Sequence, residues 1–527
     1  VLDLILRGGR IFDGTGAAWF RGDVGISGDQ IVAMGNLRDC KAARIIDVDG
    51  AAIAPGFIDI HTHSDVALMV NPRGESKIRQ GVTTEVVGNC GGSFAPLAGP
   101  GVEWIAEDLR EIDLALTWRS MKEYLDRVDE AKPALNVAAL IGLGLIRADV
   151  VGMDDRPATP AEMQAMQALI AQAMQEGAFG VSSGLIYAPG SFAGTAELAE
   201  MARVAAQHGG IYATHMRYES DRVVDGVAEA IAIGEGSGAA VQISHHKAVG
   251  PDNWGKVRET MALIEAARTR GVDVTVDQYP YTASATGLSA IAPNWAHDGG
   301  TEAFLARLRD PESRARVREA CEQENMKTRK GWDKVYLSWA GVPALAHLEG
   351  KHLEEIGAIM GLAPVDAALE IILASHAAAS QIAFGMCEED ICFVMRHPLT
   401  MTGSDAGVKA PYGTLGKGKP HPRAYGTFAR VLGRYVREQG VMPLEEAVRK
   451  MTSLPARKLG LWDRGILRPG MKADVTVFQP ESIIDRATFA EPHQYAAGVP
   501  YVIVNGVVVV EQGEHTGAGP GRALRRG

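Results

Sequence analysis

Residues 51–65 read AAIAPGFIDIHTHSD. Pro55-Gly56 closes one segment, and the apolar run from Phe57 to Ile60 then stops at His61-Thr62-His63. Side chains two apart on an extended chain point the same way. His61 and His63 therefore leave the end of a buried strand together, with Asp65 just beyond. A lone histidine so placed reads as a hydrogen-bonded strand end. Two aimed at one point read as metal ligands, since imidazole is the commonest metal-binding side chain. The reading requires further ligands elsewhere in the chain.

Working outward, the flanks differ in kind from the middle. The first 50 residues are short β-like runs broken by glycines (LDLILRGG, GDVGISGDQIVAMG, ARIIDVDG), and the last 65 repeat the pattern in GMKADVTVF and YVIVNGVVVVEQG. Both ends read as antiparallel sheet. In between, apolar strands alternate with helical segments: NVAALIGLG before TPAEMQAMQALIAQAMQEG, FGVSSGLIY before TAELAEMARVAAQHG, then IYATHM, VQISHHK, VDVTVDQYPY and finally TMTGSD. About eight such units predict an α/β fold built on a (β/α)8 TIM-like barrel. The expected division is a small β-sandwich domain from 1–54 and 464–527, and a barrel over 55–463 with a helical lid or insertion at 300–395.

Composition narrows the class of protein. The 527 residues are 46% hydrophobic and 22% charged, as in soluble globular proteins with a sizeable core. A net charge of −11 argues against nucleic acid or an anionic membrane as partner. No apolar run reaches spanning length, and the first residues lack the pattern of a signal peptide. Cys40, Cys90, Cys321, Cys387 and Cys392 are scattered without a C-x-x-C pair. That usage suits a reducing cytoplasm.

Barrel chemistry sits at the C-terminal ends of the strands. Here those ends carry His61 and His63, Cys90 before Gly91-Gly92, His215, His245 and Asp405. A thiolate with imidazoles is a zinc-type donor set, and three protein ligands with an open position mark a catalytic zinc. Asp405 is placed to take a proton from a water and return it to a leaving nitrogen. His246 must face away from His245 and reads as packing. His208, His347, His352, His376, His493 and His515, like Cys321, Cys387 and Cys392, read as residues without a role.

These motifs resemble the D-aminoacylases (N-acyl-D-amino-acid deacylases) of the amidohydrolase superfamily. The similarity runs in order through PGFIDIHTHSD, GVTTEVVGNCG, YATHMR, QISHHK, DQYPYTAS, GSDA, HPRAYGTF and GILRPGMKADVTVF. It implies a tight zinc on Cys90, His215 and His245, a weaker second site on His61 and His63, and Asp405 as general acid/base. It further implies a substrate carboxylate held among Lys247, Tyr187, Tyr279, Ser284 and Arg423. The expected reaction is hydrolysis of a small N-acyl-D-amino acid to a carboxylate and the free D-amino acid. A cyclic-amide hydrolase of hydantoinase or dihydroorotase type is the alternative within the fold, and a non-catalytic binding protein the alternative outside it. Two departures touch the pocket. Leu143 stands where the resemblance leads one to expect a histidine, and the segment 406–420 is long. Its Lys409, Lys417 and Lys419 read as solvated residues of a mobile loop, so neutral D-residues are the expected substrates, with acidic ones such as D-glutamate, drawn by the three lysines, as the alternative.

Overall fold

The computed structural model describes residues 1–110, 112 and 114–526. Eight parallel strands surround one axis when Asn136–Ala139 and Ile141–Gly142 are counted as a single interrupted strand. They are Phe57–Asp59, Val82–Val87, the interrupted strand, Gly180–Gly184, Ile211–His215, Ala240–Ile243, Val274–Gln278 and Thr400–Thr402. All pair in parallel register. The ring closes where Thr62 bridges Ala406 and the Asp405 N–H donates to the His61 carbonyl at 2.8 Å. Nearly every strand residue is buried, because helices cover the outer face and side chains fill the inner one. The local signals agree with this packing. Helix Pro160–Gln175, for example, starts with Thr159 and Glu162 in a capping box and Pro160 in the first turn.

The termini share one nine-stranded sheet, joined where Ala52–Pro55 pairs antiparallel with Val475–Phe478. This sheet is mixed rather than purely antiparallel, since Leu2–Ile11 pairs in parallel with Ala42–Asp47 and Ala52–Pro55. The last residues leave it: Leu524 donates to the Val137 carbonyl at 2.7 Å and Arg526 to that of Gly177 at 3.1 Å, lining the chain end against the barrel.

The insertion between the seventh and eighth strands starts earlier than the charged helical sequence suggests, and it contains a sheet. Ala283–Gly287, Val335–Trp339 and Ser380–Phe384 pair antiparallel. Four helices from Gly300–Arg309 to Pro364–Ala374 pack around a separate core that includes Phe304, Leu337, Leu369 and Cys321. Helix Glu388–Arg396 belongs to the barrel instead, against helix Val257–Thr269. No single helix among the described residues is long and apolar enough to cross a membrane.

Candidate metal centre

The strand ends bring the expected ligands to one point. Cys90 Sγ lies 3.3 Å from His61 Nε2 and 3.6 Å from His245 Nε2, and His245 Nε2 lies 2.9 Å from His215 Nδ1. Asp405 Oδ1 is 3.4 Å from His61 Nε2 and 3.0 Å from His63 Nε2. Donor atoms of His61, Cys90, His245 and Asp405 fall within 4.8 Å of one another. His63 reaches Asp405 from the rim, where its side chain is 39% exposed.

Backbone conformation aims these groups. Cys90, His245 and Asp405 have φ of 53°, 36° and 51°. Left-handed backbone at three non-glycine residues is strained, and such strain gathers at functional sites. Glycines make the crowding possible. A Cβ on Gly184 would sit 2.0 Å from the Cys90 carbonyl oxygen, and one on Gly91 2.6 Å from the Gly184 nitrogen.

The donor set fits a zinc ion. Burial alone would raise the Cys90 thiol, but the charge of His61 and hydrogen bonds from His215, His245 and His61 hold it well below its usual range. Thiolate is the form a metal needs. Burial would lower His215, yet Glu219 and Cys90 lift it to about 9. His215 Nε2 is buried without a hydrogen-bond partner, Glu219 Oε2 being 3.5 Å away. Facing ring nitrogens beside a thiolate are a set of donors with too few partners among themselves. Cys90, His215 and His245 are therefore suited to hold the ion, with His61 and Asp405 adjoining.

Two carboxylates that the sequence reading passed over orient the ligands. Asp277 Oδ1 lies 3.2 Å from His61 Nδ1 and accepts the His245 N–H at 2.7 Å, while Oδ2 accepts from Gln242 at 2.9 Å. Glu219 Oε1 lies 3.1 Å from His245 Nδ1 and accepts from Lys247 Nζ at 2.6 Å. A carboxylate on the far ring nitrogen fixes the tautomer and directs the near one at the metal. Asp277 follows the alternation of VDVTVDQ and was open to that reading. Glu219 lies in the loop after His215, where nothing local marks it.

The expected substrate contacts divide. Arg423 Nη1 is 2.7 Å from Asp405 Oδ2, and its Cζ stands 4.7 Å from the Tyr279 ring centre. Lys247 Nζ stands 5.9 Å from the same ring. The Tyr279 hydroxyl and Arg423 Nε are buried without partners. The Tyr187 hydroxyl pairs with Thr286 Oγ1 at 2.8 Å, and its ring meets that of His215. The Ser284 hydroxyl donates to the Ala383 carbonyl at 3.4 Å, and Thr286, two residues on along the same strand, lines the adjoining cavity. His421, also unassigned from sequence, braces Arg423 by accepting its N–H at 3.0 Å. His246 is buried 2.8 Å from Thr260 Oγ1, the packing role expected. The segment 406–420 is pinned rather than loose. Val408 donates to Ser64 Oγ, Lys409 to Ser76 Oγ, Tyr412 to Glu75, and Lys419 to the Ser338 carbonyl.

A closed parallel barrel with thiolate, imidazole and carboxylate groups on its strand ends is an amidohydrolase architecture, and comparison with known proteins agrees. An amidohydrolase family model matches residues 44–510, and the chain belongs to that family. It is 39% identical over 529 residues to an N-acyl-D-glutamate deacylase of Alcaligenes xylosoxydans xylosoxydans, covering 100% of this chain and 97% of that one. The crystal structure of N-acyl-D-glutamate deacylase from Bordetella bronchiseptica, complexed with zinc and a phosphonate mimic of the tetrahedral intermediate, superposes with a TM-score of 0.85 at 38% identity over the full length of both chains. A D-aminoacylase with a binuclear metal centre, described by one-metal activation and second-metal attenuation, gives a TM-score of 0.84 at 39% identity, again over both full chains.

Proposed function

We propose that the chain is a zinc-dependent hydrolase of N-acyl-D-amino acids, releasing a carboxylate and the free D-amino acid. The observation that carries this reading is the meeting of two incomplete sites. Cys90, His215 and His245 converge on one side of Asp405. On the other, the unpartnered Tyr279 hydroxyl lies beside Arg423 and Lys247. The first is a zinc site and the second a carboxylate site. An amide bond between them is that of an N-acylated amino acid.

Zinc, when bound, polarises the amide carbonyl and lowers the pKa of an attacking water. The chain's own residues supply the rest. Asp405 is kept ionised: burial opposes its charge, but Arg423, His245 and His61 and the hydrogen bond from His63 hold it well below the usual carboxylate range. It therefore starts as a base, taking the water proton on Oδ1. When a substrate carboxylate claims Arg423, Asp405 loses part of that stabilisation and becomes a better donor to the departing nitrogen. Arg423, Lys247 and Tyr279 fix the α-carboxylate, the metal centre fixes the carbonyl, and the adjoining cavity takes a third substituent. Three fixed points on one carbon select a single enantiomer.

The test is a panel of N-acetyl-D-amino acids and their L-enantiomers, assayed with and without zinc. Turnover of the D-series alone, and only with metal, is expected. Equal turnover of both series, or preference for a hydantoin, would refute the reading.

A further inference from the structure

The insertion meets the carboxylate site through one edge of its sheet. Strand Ala283–Gly287 stands at the end of the strand order, paired with Ser380–Phe384 on one side and with no strand on the other among the described residues. Backbone groups two apart on a strand point the same way, and an unpaired edge leaves them in need of partners. Two side chains from the segment after the eighth barrel strand take that role. His421 Nε2 lies 3.0 Å from the Ala283 carbonyl oxygen, and Arg423 Nη2 donates to the Ala285 carbonyl at 3.1 Å.

His421 has a second bond. Its Nδ1 accepts the Arg423 backbone N–H at 3.0 Å. A carbonyl can only accept and an N–H only donate, so the ring is the neutral tautomer with its proton on Nε2. Asparagine and aspartate commonly bond the backbone N–H two residues on in this way. Their side chains end there, whereas the imidazole carries a second nitrogen that reaches the insertion. The ring is buried, and those of Tyr281 and Phe489 meet it edge to face at centre distances of 5.1 and 5.0 Å, which fixes its plane.

Arg423 is thus held at three points: its backbone N–H by His421, Nη2 by Ala285, and Nη1 at 2.7 Å from Asp405 Oδ2. Nε and Nη1 have no aligned hydrogen bond, which leaves them for an incoming anion. We infer that His421 is a positioning residue for the α-carboxylate clamp. By tying the Arg423 backbone to the insertion edge, it sets where the guanidinium stands between Asp405 and the substrate. The carboxylate site is then a joint product of barrel and insertion. The inference rests on the hydrolase reading above.

The experiment is a double-mutant cycle on the zinc-loaded full chain, with the best substrate of the N-acetyl-D-amino acid panel. His421→Gln keeps a donor for the Ala283 carbonyl but is too long for the bond to the Arg423 N–H. His421→Asn restores that bond and gives up the Ala283 contact. Each is made alone and with Arg423→Ala, so either variant completes a cycle if the other does not fold. His421→Gln should lower kcat/KM about 10- to 100-fold, the scale of a small misplacement of a binding group, with zinc content unchanged. His421→Asn should recover part of that loss, which a merely structural role would not favour. Once Arg423 is alanine, the same changes should cost no more than about twofold further, because the residue they act through is gone. Equal fold-losses in both backgrounds would mean that His421 works independently of Arg423, through direct contact or general stability, and would overturn the inference. So would full activity in His421→Gln. Either result leaves the hydrolase reading standing, whereas failure of the unaltered enzyme to hydrolyse any N-acyl-D-amino acid overturns both.

Discussion

Two clusters of buried charge flank the backbone of Asp405, and only one of them is a site. Lys77, Asp59 and Glu85 have no exposed side-chain surface. Lys77 Nζ donates to Asp59 Oδ2 at 2.9 Å, Ser404 Oγ at 2.7 Å and the Ala406 carbonyl at 2.8 Å, and lies 3.0 Å from Glu85 Oε1. Asp59 Oδ1 in turn accepts the Ser404 N–H at 2.8 Å. Burial and the Asp59 charge push the Glu85 carboxyl upward against the pull of Lys77, toward its neutral form. Every donor of the ammonium is used. The ligand cluster is the reverse: its ring nitrogens face one another, His215 Nε2 has no partner, and three of its residues hold left-handed backbone. Burial of charge is common to both. Both Glu85 oxygens are likewise buried without a hydrogen-bond partner, so it is the facing ring nitrogens and the left-handed backbone that separate the site from the scaffold.

The comparison breaks most directly at Cys90. Cys90→Ala should abolish tight zinc binding, measured as metal per chain by elemental analysis, and with it nearly all turnover. Cys321, whose thiol is pushed up to about 12 by burial, mainly, and by Glu322, should tolerate alanine with its zinc intact. Full zinc in Cys90→Ala would remove the thiolate from the ligand set.

Asp405→Asn keeps the size and removes the base. kcat should fall by about 10² to 10⁴ with zinc still bound. A near-normal kcat would mean that another group moves the proton.

At the Lys77 cluster the effect should fall on stability instead. Lys77→Met leaves Asp59 buried without its partner and should cost about 3–5 kcal/mol, read from the urea midpoint. Replacing Asp59 and Glu85 by apolar residues as well should recover much of that loss, because no unpaired acid is then left buried. Recovery on this side has no counterpart at the metal centre.

Arg423→Ala should produce a smaller loss in kcat/KM, about 10- to 100-fold across all N-acyl-D-amino acids, since all share the α-carboxylate. It should also move the pH profile. Arg423 is the strongest of the charges that hold the Asp405 carboxyl down against burial, so removing it raises that group's pKa. The base is then protonated at higher pH, and the acid limb of kcat/KM shifts upward. An unmoved limb, with the loss confined to one substrate type, would show that Arg423 reads a side chain.

The barrel was legible because each of its strands is a short apolar run with a polar residue at its end, and the ligands were legible because they are those end residues. What sequence hid were relations between distant segments. The register of the insertion sheet, which sets Ser284 opposite Ala383 and Thr286 opposite Gln381 about a hundred residues on, is not readable from sequence, and Thr286 of that strand lines the cavity. Glu219 reads as an ordinary loop acid until folding seats it between His215, His245 and Lys247. Parallel pairing of Leu2–Ile11 with Ala42–Asp47 needs a crossover that the glycine-punctuated runs do not announce. Lys409 and Lys419 are alike in composition, and only the fold makes one a cavity wall and the other a brace on Ala490.

The central claim, that the unsatisfied cluster at the barrel mouth is a zinc centre for D-selective amide hydrolysis, meets its most direct test in one titration. Zinc is added stepwise to the metal-stripped enzyme while bound metal and hydrolysis of an N-acyl-D-amino acid and its L-enantiomer are followed together. The account predicts that activity appears with the first equivalent of zinc and for the D-enantiomer alone. Turnover that survives removal of the metal, or that treats the two enantiomers alike, would contradict it.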